Sequence, residues 1–516
     1  MKRSYMMRIY LLMIFFLAAG LSLSSALVKA PPAKALLPNG LKVLVLEDSS
    51  LPIVSAVLTI NFSSDETSKI DSDIRRSRKI MRMLMERSDS KNISRTQLNA
   101  MIEEQGWISI SEFSSFAAVA GIQGSSEGLD EILKTLRSVT FDLAPSKELV
   151  EEFKHTARRD LKDSKIHPLS SGYIQSKAIF LLSGNQNLRG KDSATSDSLK
   201  DMNLEKIKEL ISTNIVPNNA VLTIVGDVKA GEVFKKCMAS FGDLIASRID
   251  KKSSSPATFS QDLQIESKSK SYVEKEFLDV KTTQVGICFP APSLSDPDMP
   301  ATKLLAGALW GANDSWFSRV FEKDFPTLKQ VAGYYYPAVD KGFIVLEFES
   351  DDPEIDPLIS AILQKLAYYS AAPPSQAELD RLITIKKSEE SVNNELRLML
   401  ACNMGFAELA KDFSIALSFN ESLERVTPQD ISRVAKNIFC ESTYSIFSVH
   451  PPSCNLCGEK KIISETLENG AELIIKRIVV RPKRVSQITG IEIKSQQIEA
   501  ILNRLKIEVQ RDGDTI

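Results

Sequence analysis

Histidine is scarce in this chain, and its scarcity limits the chemistry available. The 516 residues include three histidines, His155, His167 and His450, far apart in the sequence. Hydrolases with a serine or cysteine nucleophile activate it with a neighbouring histidine. His155 lies five residues before Asp160 in a predicted helix, outside the i,i+4 spacing that brings two ligands together, and the other two each precede a proline. Surface or capping roles are therefore predicted for all three, with no Ser-His-Asp or Cys-His arrangement.

The chain also lacks an excess of charge of either sign. It carries 64 Lys and Arg against 66 Asp and Glu, a net charge of −2. Such a balance gives no overall field that would attract nucleic acid or an anionic membrane, and the sequence contains no glycine-rich phosphate loop. With 43% hydrophobic and 25% charged residues, the composition is that of a folded globular protein with room for several domains. The expected partners are proteins or peptides.

Cysteines are few and widely scattered, which excludes a fold stapled by disulfides. Most are predicted to be small core residues. Cys454 and Cys457 have the spacing of a redox pair or of half a zinc site, but no second pair accompanies them. We favour a loop disulfide in an oxidising compartment over a metal site.

The N-terminus has the pattern of a secretory signal peptide, residues 1–26. Lys2, Arg3 and Arg8 precede an apolar run, Ile9 to Leu23, that is short for a membrane span and is followed by small residues. A periplasmic or secreted location is predicted. The alternative is a membrane anchor formed by an uncleaved N-terminal segment.

Two units that mix helices and strands follow. The first, residues 33–250, opens with Leu37 to Leu46, a turn and a strand, and closes with the buried strand Ala220 to Val228. Residues 251–272 are rich in Ser and Lys and predict a linker. The second unit, 273–452, repeats the order of strands and helices. In the tail, 453–516, the segment Leu467 to Ile475 repeats the pattern of Leu37 to Val45, which is either the start of a third repeat or chance similarity.

A strongly basic segment lies between the second strand and the first long helical region. Asp71 to Ser88 shows apolar residues at roughly helical spacing, including Ile74 and Leu84, and predicts an amphipathic helix. Its polar face carries Arg75, Arg76, Arg78, Lys79 and Arg82. A charged run of this kind is either a solvated helix face or a binding surface for an acidic partner.

The Leu-Pro-Asn-Gly strand, the helical core and the closing strand of the first unit, in this order, resemble one repeat of the insulinase/pitrilysin (inverzincin) metallopeptidases, which include the mitochondrial processing peptidases. The resemblance covers about residues 35 to 450. It implies an α+β fold of two homologous repeats, each an antiparallel-rich sheet covered by helices on one side, that together form a clam-shell.

The same resemblance places the family's zinc motif, His-x-x-Glu-His, on Arg78-Lys79-Ile80-Met81-Arg82. A guanidinium has no lone pair to give and stays protonated, so Arg78 and Arg82 would repel zinc. The third ligand position falls on or near Asp160. One carboxylate without two imidazoles is a poor zinc site, and the family's zinc is therefore predicted to be lost.

The second repeat of the family supplies an Arg and a Tyr that hold the substrate. If that Tyr is matched to Tyr334, the Arg position falls on Gln330, or on Leu328 in a different alignment, and neither residue is basic. Tyr334 and Tyr335 remain candidates for stacking on a peptide, although packing under the edge of a sheet is the commoner role of such residues.

These observations favour a non-catalytic homologue of zinc metallopeptidases that serves as a structural or regulatory subunit beside an active processing peptidase. The alternative is a stand-alone protein that captures an extended peptide at a sheet edge. A third reading is a residual metallopeptidase with an atypical site.

Overall fold

The computed structural model describes residues 31–61, 82–113, 117–170, 172–182, 202–247, 271–311, 317, 324–325, 327–339, 341–352 and 355–452. The predicted signal peptide, the Ser- and Lys-rich segment 251–270, the tail from residue 453 and most of the basic segment lie outside these ranges. Within them the chain forms two open mixed sheets with layers of helices.

Six strands form the first sheet, in the order β1-β2-β8-β3-β6-β5. Neighbouring strands are antiparallel except β2 and β8, which run parallel. The central strands β3 and β8 are apolar along most of their length and are buried on both faces, as expected for strands covered on both sides. The strands are β1 (Ala33–Leu36), β2 (Lys42–Glu47), β3 (Ile53–Asn61), β5 (Ile108–Phe113), β6 (Ala117–Ser125) and β8 (Ala220–Gly226); β4 (Asp89–Ser90) and β7 (Leu143–Ala144) form a separate short ladder.

The second sheet has five described strands, in the order β11-β12-β10-β13-β9. The only parallel neighbours among them are β13 and β9. The first sheet has the same arrangement, because its last strand, β8, pairs in parallel with β2, which lies near the start of the unit. The strands are β9 (Tyr272–Phe277), β10 (Thr283–Ala291), β11 (Leu328–Pro337), β12 (Gly342–Ser350) and β13 (Ser445–His450).

Side-chain hydrogen bonds cap the first turn of two helices. Ser94 and Gln97 form a capping box at the start of α2, and Thr427 and Asp430 form one at the start of α14. The helices are α1 (residues 82–87), α2 (Arg95–Glu104), α3 (Leu129–Ser138), α4 (Lys147–Ile166), α5 (Tyr173–Leu182), α6 (Leu204–Asn214), α7 (Ala230–Phe241), α8 (Met299–Trp310), α9 (Asp356–Ala371), α10 (Gln376–Glu395), α11 (Arg397–Ala410), α12 (Ser414–Leu417), α13 (Phe419–Glu424) and α14 (Pro428–Lys436). None of the described helices is long and apolar enough to cross a membrane.

Each sheet packs one face against helices of its own half of the chain. In the first half, α3, α4 and α7 supply buried residues such as Leu133, Phe153 and Phe241 to a core with the first sheet. In the second half, α8, α9 and α14 supply Leu305, Ile362 and Val434 to the corresponding core. The predicted α+β architecture of two repeats is confirmed, but each sheet is covered by helices on both faces rather than on one.

The opposite face of each sheet is covered by one helix from the other half of the chain. Helix α11 packs across β3 and β8 of the first sheet, where Leu398 and Met404 join an apolar cluster. Helix α5 packs across β10 and β13 of the second sheet through Ile174 and Ala178. This exchange of helices couples the two halves, and the sequence pattern did not predict it.

The exchanged helix α11 is also anchored by charges at both ends. Near its start, Arg397 lies 3.4 Å from Asp48 and donates a hydrogen bond to Ser50. Near its end, the buried carboxylate of Glu408 pairs with Lys34 at 2.7 Å and with Lys42 at 2.8 Å. These partners lie in and beside β1 and β2, so ionic contacts fix the helix along the first sheet.

Candidate functional site

Of the five residues predicted to replace the zinc motif, the structure describes Arg82, which lies in α1. Arg75, Arg76, Arg78, Lys79 and Met81 lie outside the described residues. Met83, Leu84 and Met85 of α1 are buried in the first core, in agreement with the predicted buried position of Leu84. Arg82 projects outward, with 61% of its side chain exposed.

Carboxylates hold the guanidinium of Arg82 in its charged form. Its Nε lies 2.8 Å from Oε1 of Glu86, one helical turn later. The hydrogen bond that Arg82 donates to Glu86 is the largest of the effects that raise the pKa of Arg82, and attraction from Glu86 and from Glu112 on β5 adds to it. A positive charge therefore stands at the position that the family resemblance assigns to the last zinc-binding histidine.

Helix α1 contacts the helix that carries Asp160. Arg87 of α1 forms an ion pair with Glu152 of α4, and Asp160 follows Glu152 by about two turns of the same helix. Asp160 is half-buried, and Asp163 is exposed. Within the described residues, no group of three His, Cys, Asp or Glu side chains is placed to hold a metal ion.

Two of the three histidines lie at the surface or at a helix end, and the third is buried. His155 is exposed on α4, and His167 caps the C-terminus of the same helix, so both agree with the predicted surface or capping roles. For His450 the prediction was wrong. Its ring is buried at the end of β13, its Nε2 lies 2.9 Å from the hydroxyl of Ser448, and burial lowers its pKa. The strand continues through residue 450, which places this side chain inside the fold.

The tyrosine run lies on β11, which is the edge of the second sheet among the described strands. Because side chains alternate along a strand, Tyr334 and Tyr336 share one face, where their rings stack with centroids 6.0 Å apart. Both are partly exposed, at 41% and 37%. The amide of Gln175, on α5, donates a 2.6 Å hydrogen bond to the hydroxyl of Tyr336.

The prediction that Tyr335 contacts a peptide needs correction. Its side chain points to the opposite face, where its hydroxyl donates a 2.8 Å hydrogen bond to the carbonyl of Pro292 and its ring packs against the second core. Burial raises the pKa of this hydroxyl well above its usual value. Tyr336, which the prediction left out, is the second exposed tyrosine.

The backbone of β11 is irregular at the position proposed for the family's arginine. Gln330 has φ of +46°, the only positive value among the described residues other than glycine. The pairing of β11 with β12 shifts between Lys329 and Ala332. This bulge separates Leu328 and Gln330 from the regular strand that carries Tyr334.

A buried carboxyl group near the tyrosines was not found from the sequence. Glu347, on β12, is 6% exposed, and its Oε1 has no hydrogen-bond partner among the described residues. Burial raises its pKa to about 7, and a hydrogen bond from the backbone of Gln175 acts in the other direction. Alternation along β12 would have indicated the inward direction, but Glu is rarely buried.

Comparison with known proteins supports this fold. Residues 201–386 match the family model of the peptidase M16 inactive domain, a range that includes Tyr334 but neither Arg82 nor Asp160. No curated protein matches the chain.

Three solved structures are similar to this chain over 82% of its length. A protease from Helicobacter pylori is 16% identical, with a TM-score of 0.65 and 100% of its own chain covered. The peptidase M16 inactive domain from Pseudomonas fluorescens is 16% identical, with a TM-score of 0.64 and 98% coverage. An M16-like peptidase from Alicyclobacillus acidocaldarius is 15% identical, with a TM-score of 0.61 and 98% coverage. At these identities the similarity establishes the fold alone.

Proposed function

We propose, from the premise that this chain is an insulinase-type homologue with a peptidase M16 inactive domain, that it acts as a non-catalytic partner subunit of an active processing peptidase. The M16 match and the shared fold confirm the resemblance that the sequence predicted. They also support a homologue without peptidase activity. The partner role is our inference from the environment of Arg82 and from the retained scaffold.

The observation that carries the proposal is the environment of Arg82. Its guanidinium is paired with Glu86 and is attracted further by Glu112, so a fixed positive charge stands where the related peptidases carry a zinc-binding imidazole. A cation at this point disfavours a second cation, and Arg offers no lone pair for coordination. We infer that this corner of the fold binds no zinc.

Retention of the scaffold is the second support. Two sheets, two cores and the exchanged helices α5 and α11 are all built from well-packed side chains. A chain that keeps this scaffold while losing catalytic groups remains suited to assembly with another protein. The predicted periplasmic or secreted location would place it beside exported peptidases of the same type.

The proposed interface includes the basic segment that ends in α1. At an interface, partial removal of water strengthens charge complementarity relative to an open surface. We expect the double variant Arg78→Glu, Arg82→Glu to bind an active family member that carries His-x-x-Glu-His at least tenfold more weakly than the wild type. Size-exclusion chromatography and titration of the purified pair measure the association, and circular dichroism checks that the variant is folded.

The matched control reverses the charge of a lysine outside the basic segment. Lys208 is exposed on α6, where it pairs with Glu205 one turn away, and Lys208→Glu should leave the association unchanged. Equal binding by the double variant and by the wild type would show that the basic segment is a solvated surface and would refute this interface.

One observation favours the alternative of peptide capture without a partner enzyme. Tyr334 and Tyr336 form a stacked, partly exposed pair on the edge strand β11, an arrangement suited to an added strand with aromatic side-chain contacts. Under this alternative the isolated chain binds extended peptides, and Tyr334→Ala weakens binding whereas Tyr335→Phe does not. Binding that requires the companion peptidase supports the first proposal instead.

A further inference from the structure

The two sheets correspond strand by strand except at one edge. Parallel β2 and β8 in the first sheet correspond to parallel β9 and β13 in the second. Beyond β2, the first sheet has one more strand, β1, which pairs antiparallel with it. Among the described strands of the second sheet, β9 is the outermost on that side.

The missing neighbour leaves apolar side chains of β9 exposed. Val273 is 54% exposed and Phe277 is 63% exposed. At the corresponding edge of the first sheet, Val43 and Val45 of β2 are 0% and 1% exposed. There, β1 places Ala35 and Ala33 directly opposite these valines, and helix α7 packs against β2. Burial of β2 thus depends on a flanking strand, and β9 has no such strand on its outer side within the described residues.

The backbone of β9 is also prepared for another strand. The amides of Tyr272 and Leu278 donate hydrogen bonds to Tyr444 and His450, on the side of β13. Because N–H groups alternate in direction along a strand, those of Val273, Lys275 and Phe277 point to the free edge. Unpaired edges of this kind are usually covered or blocked.

The chain itself continues beside this edge. His450, the last residue of β13, pairs with Phe277, and the sequence runs on from Pro451 to Ile516. The segment Leu467 to Ile475, LENGAELII, repeats the pattern of Leu37 to Val45, LPNGLKVLV. The earlier copy is the turn that follows β1, with Gly40 in the left-handed conformation at φ +83°, and the strand β2, which lies next to the edge of the first sheet.

The connection is long enough for the later copy to reach β9. Between Pro452 and Leu467 the extended chain spans up to about 45 Å, well beyond the ~5 Å between neighbouring strands. The copy therefore has the pattern of a turn followed by a strand, and the chain that carries it leaves the sheet beside β9.

We propose that the segment Leu467 to Ile475 docks as a strand on the free edge of β9 and covers Val273 and Phe277. The second sheet then gains the outer strand that β1 supplies to the first. In the alignment of the two copies, Leu473 and Ile475 correspond to the buried Val43 and Val45 and supply the apolar contact. This inference is independent of the proposed partner role.

Hydrogen exchange of the full chain, followed for individual amides by NMR or by fragmentation in the mass spectrometer, tests the docking. In the wild type, we expect the amides of Val273, Lys275 and Phe277 to exchange slowly. The double variant Leu473→Asp, Ile475→Asp should speed their exchange at least tenfold. The amides of Glu274 and Glu276, which face β13, should stay protected and report that the sheet is intact.

The control variant carries the same kind of change outside the proposed strand, Ile498→Asp with Ile501→Asp, and should leave β9 protected. Fast exchange of the three edge amides in the wild type would overturn the proposal, as would protection that survives in the Leu473 and Ile475 variant. Protection that appears only at high protein concentration would assign the edge to a second copy of the chain and would also overturn it.

Discussion

Arg82 stands where the related peptidases are expected to carry a zinc-binding imidazole, and its chemistry opposes coordination. The side chain donates hydrogen bonds and accepts none, and its pairing with Glu86 stabilises the charged form. Replacing this one residue cannot rebuild a site, because several groups must act together in catalysis.

We expect the triple variant Arg78→His, Met81→Glu, Arg82→His to show no peptidase turnover above background. The Asp160 position supplies an aspartate instead of the family's glutamate, and Gln330 and Leu328 supply no positive charge. Catalytic groups that act as a unit give little activity when only some are present. A fluorogenic peptide assay measures the outcome, with wild-type protein as the control. Robust turnover abolished by a chelator would show that Asp160 and the second repeat are competent.

The sequence predicted the exposure or burial of some side chains correctly and of others incorrectly. Exposure of His155 and burial of Leu84 followed from helical periodicity. The opposite directions of Tyr335 and Tyr336 depend on the register of β11, which a bulge at Gln330 interrupts. Burial of His450 and Glu347 depends on where each strand sits in a sheet, which local sequence does not state.

At the scale of elements, the docking of α11 on the first sheet depends on a close approach at Gly405. A Cβ atom at this position would lie 2.3 Å from the hydroxyl of Thr59, a contact that requires the helix to shift. We expect Gly405→Ala to lower the free energy of unfolding by about 1 to 3 kcal/mol, measured by urea denaturation.

The matched control is Gly231→Ala on α7, where an added Cβ meets nothing within 4 Å. Its helical propensity should raise stability by up to about 1 kcal/mol. Equal effects of the two substitutions would contradict the close packing of α11 against β3.

The docking of α5 on the second sheet should depend on pH through Glu347. Burial raises the pKa of this carboxyl from 4.5 to about 7, so the folded protein binds the proton more tightly than the unfolded chain. The free energy of unfolding contributed by this group is therefore greatest below pH 4.5 and falls as the pH rises to about 7. The slope within this window is on the order of 1 kcal/mol per pH unit.

Urea denaturation across pH 4 to 8 measures this dependence, and Glu347→Gln should remove it. The difference between wild type and variant isolates Glu347 from other groups that titrate in the same range, such as His450. Parallel pH profiles for the two proteins would show that the carboxyl is solvated in solution.

Local patterns predicted most elements, because turns, alternation and helical periodicity are encoded within short stretches. Strand β8 lies close to its predicted position, Ala220 to Val228, and His155 and Asp160 share a helix, α4, as predicted. The crossing of α5 and α11 to the opposite sheets was not predictable in this way. Both helices are apolar over much of their surface, and periodicity does not state which sheet covers which helix.

The whole molecule has the fold of M16-like peptidases, and our proposal is that the residues that would hold their metal are replaced in this chain. The scaffold is visible in two matching sheets and in helices exchanged between them. The proposed loss of activity depends on the chemistry of one corner, where Arg82 of α1 lies near Glu112 of β5 and Arg87 of the same helix pairs with Glu152 of α4. Measurements of unfolding therefore test the fold, and measurements of zinc content and peptide hydrolysis test the chemistry of this corner.

The zinc content of the full-length protein, purified without chelator, is the sharpest test of our proposal that the chain binds no zinc. Elemental analysis should find far less than one zinc per chain, and the same preparation should hydrolyse no peptide. Added zinc should leave both results unchanged, because the position of Arg82 holds a fixed positive charge. One tightly bound zinc per chain, together with hydrolysis that a chelator abolishes, would contradict the account.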